Sequence, residues 1–182
     1  MRKENIIKVI FIIMLICILF GIIKYFNDTK RLKEELGKHY ALEISTLLNL
    51  YTNETKLYLE KNKTLDVEYL KLLANSFKMA SDDIKSYHGL KKINGFHEYG
   101  FTISNKLNDL IILIKNNEPI KKQRKLKSEI LKLLKKGQKT FTFLNNEIKN
   151  TTFQNDNEGL IWFKRFHSPK KELKDRINAL LI

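Results

Sequence analysis

The chain has 182 residues, 34 basic against 20 acidic, a formal charge of +14, seven glycines, two prolines and one cysteine. One cysteine excludes an intramolecular disulfide framework and a cysteine-rich zinc site. With 43% apolar residues and so little Gly and Pro, the chain is neither collagen-like nor generally disordered, and a turn-rich sandwich or small barrel is also excluded.

Residues 1–5 form a short basic tail around Arg2 and Lys3. Residues 6–26 follow as an apolar segment, with no charged or strongly polar side chain between Val9 and Ile23. Twenty-one helical residues span about 31 Å at 1.5 Å per residue, which matches a hydrocarbon core of about 30 Å. Lys8 and Lys24 sit near the ends, where their long side chains can reach the interface; Tyr25 and Phe26 fall at the far boundary. A cleaved leader is disfavoured because no small-x-small site follows the apolar run. The segment is therefore expected to be an uncleaved, single-pass anchor of the signal-anchor type, with Cys17 inside it. Basic residues flank both sides: Arg2, Lys3 and Lys8 before, Lys24, Lys30, Arg31, Lys33 and Lys38 after. The raw count favours the following domain inside, and the short basic tail before a first hydrophobic helix favours it outside. The expectation adopted is an extracytoplasmic domain.

Residues 27–150 read as a helical bundle. Leu32, Leu36, Tyr40, Ile44, Leu47, Tyr51 and Tyr58 recur at helical spacing. The anchor is thus expected to run on to about Asn62, with Gly37 as its weak point. A second helix is predicted over about 64–88, capped by Thr64, with Leu70, Leu73, Phe77, Ala80, Ile84 and Tyr87 on one face and Gly89 as its stop. Residues 89–101, punctuated by Gly89, Gly95 and Gly100, read as irregular. A third helix is predicted over about 103–116, closed by the turn Asn116-Asn117-Glu118-Pro119.

The fourth helix, about 119–149, has two distinct faces. Leu126, Ile130, Leu133, Leu134, Phe141, Leu144 and Ile148 fall within about 100° of arc at helical pitch, and Gly137 lies on that arc, where it would allow close helix approach. Lys121, Lys122, Arg124, Lys125, Lys132, Lys135, Lys136 and Lys139 fall on the opposite side. Thr140-Phe141-Thr142-Phe143 alternates like a strand, but over too short a run to outweigh the helical period. Residues 151–182 are expected to hold a polar loop, an apolar cluster around Trp162, and a short helix opened by Ser168-Pro169, all packed on the bundle. The predicted class is all-α: an N-terminal transmembrane helix, an antiparallel bundle of about four helices and a short C-terminal helix.

The chain carries no Gly-rich phosphate loop, no G-x-S-x-G elbow and no H-E-x-x-H. His88, His97 and Glu98 are the one set of residue types suited to a metal, two imidazoles and a carboxylate; a small metal-dependent enzyme built on them is the alternative reading. Isolated histidines at helix ends are the commoner meaning of such a pattern, so no cofactor is expected. The basic face of the fourth helix is the feature that rises above background. It suits an anionic partner such as lipid headgroups or a cell-wall polymer, and a protein partner is also open. With Phe143 as the one interleaved exposed aromatic, stacking on single-stranded nucleic acid is disfavoured. The functional expectation is a non-enzymatic, membrane-anchored helical domain acting as sensor, scaffold or interaction module.

Overall fold

The computed structural model describes residues 3–86, 95–152, 161, 163–164, 166, 169 and 171–180. These residues are helical apart from short turns, and no strand occurs among them. The elements in chain order are α1 (Lys3–Ala41), a π-helical stretch (Leu42–Leu48), α2 (Asn49–Lys61), α3 (Val67–Ser86), α4 (Gly95–Lys115), α5 (Ile120–Thr152) and α6 (Lys171–Asn178). Trp162, Tyr87, Gly89, His88 and Ser168, all singled out above, lie outside the described residues.

α1, the π stretch and α2 form one continuous helix, and its first half is long and apolar enough to cross a membrane. There every described side chain from Lys8 to Asn27 is exposed, with Phe20 and Tyr25 both at 70%. Burial begins at Gly37 and Tyr40. The helix passes through Gly37 without a break, and its irregularity comes later, at Leu42–Leu48. A π turn closes i→i+5 bonds and so takes one additional residue, which rotates everything beyond it by about 100° relative to an uninterrupted α-helix. This changes which residues face the core. The simple period selects Leu47, Tyr51 and Tyr58, but these are only partly buried. The residues one position later, Leu48, Thr52 and Leu59, are fully buried, as is Thr55.

α2 and α3 are joined by a tight turn. Asn62 closes α2 by directing both its backbone N–H and its Nδ2 to the Tyr58 carbonyl, at 3.1 and 2.9 Å. The α3 cap is Asp66 rather than Thr64: its Oδ1 accepts from the Glu68 and Tyr69 N–H groups at 2.7 and 3.0 Å. A carboxylate accepts two N–H groups at once and also suits the positive helix end. The Tyr58 hydroxyl accepts the Asp66 N–H at 2.7 Å, which ties the turn to the preceding helix.

α3 packs along its length on α4, and α4 packs on α5. α5 returns against α2, and the π stretch touches α3, so the bundle closes. Leu70, Leu73, Phe77, Ala80 and Ile84 of α3 are buried; each large apolar side chain removed from water contributes about 1.5–3 kcal/mol. α4 begins eight residues earlier than its period suggested, at Gly95 rather than Ile103. The reason lies in the two glycines that read as punctuation. Phe96, Tyr99, Gly100, Ile103 and Leu107 form one helical stripe, and Gly95 and Gly100 are contact points on it. A Cβ on Gly100 would stand 2.1 Å from Ser81 Oγ and 3.3 Å from Leu48 Cδ2.

α4 ends in a Schellman-type cap: Asn117 adopts φ 50°, Glu118 N–H bonds the Leu113 carbonyl and Asn117 N–H bonds the Ile114 carbonyl. On α5, Ile130, Leu134, Phe141 and Leu144 are fully buried, Leu126 and Leu133 partly so, and Ile148 has no described side chain. Thr140–Phe143 is helical. α6 buries Leu173 and Ile177, the latter against Gly95, while the Arg176 guanidinium lies 4.1 Å from the Phe143 ring centroid. Phe163 stacks on Tyr40 at 6.5 Å. The C-terminal segment therefore packs at the end of the bundle where the long helix enters.

Candidate functional site

α5 carries ten basic residues and two acidic ones, so its exposed side is strongly positive. Lys121, Lys122, Arg124, Lys125, Lys132, Lys135 and Lys139 are exposed and Lys136 is half-buried. The apolar arc decides this, since burying Ile130, Leu134 and Phe141 turns the opposite arc to solvent. Lys122 pairs with Glu118 at 2.9 Å and Lys135 with Glu60 at 3.7 Å. The other six have no ion-pair partner among the described residues. Glu129 is the acid on this surface. Its hydrogen bond and ion pair with Lys106 at 3.0 Å, reinforced by Lys125 and Lys132, hold its carboxyl below the usual range.

The position of this face follows from three contacts. Lys127 donates to the Asn62 carbonyl at 2.9 Å, Lys135 reaches Glu60, and Lys56 donates to Gln138 Oε1 at 2.8 Å. α5 thus starts beside the α2–α3 turn and descends along α2. Along the helix axis, the 35 residues from Asn27 to Lys61 place that turn about 50 Å beyond the apolar segment.

At this tip lies a cleft of about 560 Å³ lined by Lys63, Thr64 and Leu65 of the turn, Ile114 of α4, and Ile120, Gln123, Arg124 and Lys127 of α5. Lys127 falls at the edge of the exposed face of α5. It is half-buried, and loss of hydration pulls its ammonium below the usual lysine range. Lys127 is not among the residues that the helical period assigns to the basic face, and nothing local to Lys63 signals that the two line one cleft.

A second polar group lies in the core. The Tyr99 hydroxyl meets Thr52 Oγ1 at 3.0 Å, and burial raises its pKa well above the phenolic range. Tyr99 crosses α5 at Gly137, where a Cβ would stand 2.2 Å from the Tyr99 hydroxyl; the apolar-arc glycine does mark a close approach. Glu43, in the π stretch, is 8% exposed and its Oε2 has no hydrogen-bond partner among the described residues. Desolvation and the nearby Asp83 raise its pKa, with His39 partly opposing them.

His97 Nδ1 lies 2.9 Å from the Ser81 carbonyl and so carries the proton that it donates there. The neighbouring Glu98 is exposed and leaves the helix about 100° away. His88 lies outside the described residues, and among those described no three His, Cys, Asp or Glu side chains are grouped to hold a metal.

No protein-family model, no curated protein and no solved structure matches the chain.

Proposed function

We propose that the protein is a single-pass membrane-anchored interaction module that holds a basic surface away from the bilayer and presents it to an anionic partner. The observation that carries this reading is the uninterrupted helix from Lys3 to Lys61, exposed and apolar in its first half and built into the bundle in its second. A rigid connection of this kind fixes where the basic face stands. The residues Lys132–Lys139 lie beside Lys56 and Glu60, about 45 Å along the axis from the apolar segment. The surface field of an anionic leaflet fades within about 8 Å at physiological salt. The geometry therefore favours a partner that arrives at the tip, a polyanionic polymer or an acidic protein surface, over the leaflet that holds the anchor. We place the bundle on the extracytoplasmic side.

Full-length protein in a zwitterionic nanodisc should bind dextran sulfate, a soluble polyanion, with an affinity that falls steeply with salt. Lys132→Glu and Lys139→Glu together should weaken binding strongly while the helix content and melting temperature hold. Binding that is indifferent to salt or to these changes would refute the reading. For orientation, Ser128 is exposed and Cys17, the chain's one cysteine, lies in the apolar segment. Ser128→Cys should react with a membrane-impermeant maleimide on intact cells; labelling only after lysis would place the bundle inside.

A further inference from the structure

We infer that the tip cleft is a binding site for a phosphate-class oxyanion, with Lys63, Arg124 and Lys127 as its cationic groups. This deepens the proposed function and rests on its anionic partner. Three cations and no carboxylate line one cleft of about 560 Å³. None of the three has an ion-pair partner among the described residues, although α5 neutralises other lysines through Glu118 and Glu60. Holding like charges together is unfavourable unless a counter-charge joins them. The strain is greatest for Lys127, which is half-buried and, among the described residues, donates only to the neutral Asn62 carbonyl. Its lowered pKa has the same origin: the ammonium has lost water and gained no anion.

The donor set selects among anions. Arg124 presents a planar fork suited to two oxygens at once, and the two ammonium groups act as point charges. A carboxylate has two oxygens and one charge, too few for three cations arriving from two elements. A phosphate offers three or more oxygens and up to two charges. Thr64 and Gln123 add neutral polar groups to the lining, while Leu65, Ile114 and Ile120 form an apolar wall. The cleft is held open on both sides. The Asp66 cap and the Tyr58 hydroxyl set the turn, and the Asn117 cap sets the start of α5. The site is therefore preformed, so little ordering is required on binding.

The test is calorimetric titration of the full chain in zwitterionic detergent with inorganic pyrophosphate and, separately, with an oligomer of glycerol phosphate. Saturable binding of either supports the site; tighter binding of the oligomer points to a polymer as the source, and tighter binding of pyrophosphate to a free phosphate. Arg124→Gln and Lys127→Gln together should weaken it about tenfold or more. Lys63→Gln, on an exposed turn where folding is not at stake, should weaken it in the same direction. Lys132→Gln, Lys135→Gln and Lys139→Gln should leave pyrophosphate binding within about twofold, because they lie outside the cleft. Equal losses from both sets would mean diffuse attraction to the whole face and would overturn the cleft while leaving the proposed function standing. Absence of pyrophosphate and oligomer binding alongside intact dextran sulfate binding would do the same. Failure to bind all three would overturn both.

Discussion

The two halves of the long helix have the same backbone and opposite surroundings. From Lys8 to Asn27 the side chains are exposed on all sides, and apolarity there has no partner among the described residues. From Tyr40 to Lys61 one face is buried while Leu42, Leu50 and Leu57 remain exposed, and the buried face is displaced by the π stretch. The first half is specified by composition: a run of Ile, Leu and Phe is suited to lipid whichever way it rotates. The second half is specified by register. A single additional residue leaves Thr52 fully buried and Tyr51 at the margin of the core.

That contrast is sharpest for isoleucine. Ile44 is fully buried, whereas Ile16 is 46% exposed. Ile44→Ala should destabilise the bundle by about 2–5 kcal/mol, read by thermal melting of the full chain in detergent, and Ile16→Ala should leave the melt unchanged. Equal effects would mean that the two halves unfold as one unit.

Glycine gives the next comparison. A Cβ on Gly21 meets nothing within 4 Å, whereas on Gly137 it would run into the Tyr99 ring and hydroxyl. Gly137→Ala should cost about 1–3 kcal/mol through forced repacking, and Gly21→Ala nothing measurable in the same melt. Tyr99→Phe probes the same crossing more gently. It removes the hydroxyl that meets Thr52 and leaves Thr52 buried, for about 1–2 kcal/mol. In the double variant with Thr52→Val, part of that loss should return.

The smallest effect is expected at Glu43, where the two halves join. Its folded pKa is raised, so the folded state holds a proton over a pH window where the unfolded state has released it. Stability from this group is therefore undiminished below the unfolded carboxyl pKa and declines as pH rises through the folded one. Glu43→Gln should flatten that decline and raise the melting temperature at neutral pH. A variant with an unchanged pH profile would show that the carboxyl ionises without penalty.

Several features were legible in the sequence for reasons that operate within a few residues. The apolar length of residues 6–26 follows from composition. The all-helical class follows from a 3.6-residue period, and the two faces of α5 follow from charge and apolarity at that period. The Asn117–Pro119 turn follows from backbone chemistry. Other features depended on neighbours distant in the chain. Gly95 and Gly100 look like breaks until α6 and α3 are seen against them, since a glycine that permits contact and one that ends a helix are written alike. Asp66 displaced Thr64 as the cap because Tyr58, eight residues earlier, holds its backbone in place.

The candidate site divides in the same way. The exposed lysines of α5 could be read from one helix, because amphipathicity is a property of a single element. Their distance from the apolar segment, and the cleft that Lys63 shares with Arg124 and Lys127, could not. Local sequence determines what each helix is and which side is polar. Where α5 lies against α2, and so which cations share a cleft, is decided by long-range packing: Lys56 on Gln138, Lys135 on Glu60, and a π turn that rotates the core face by one residue.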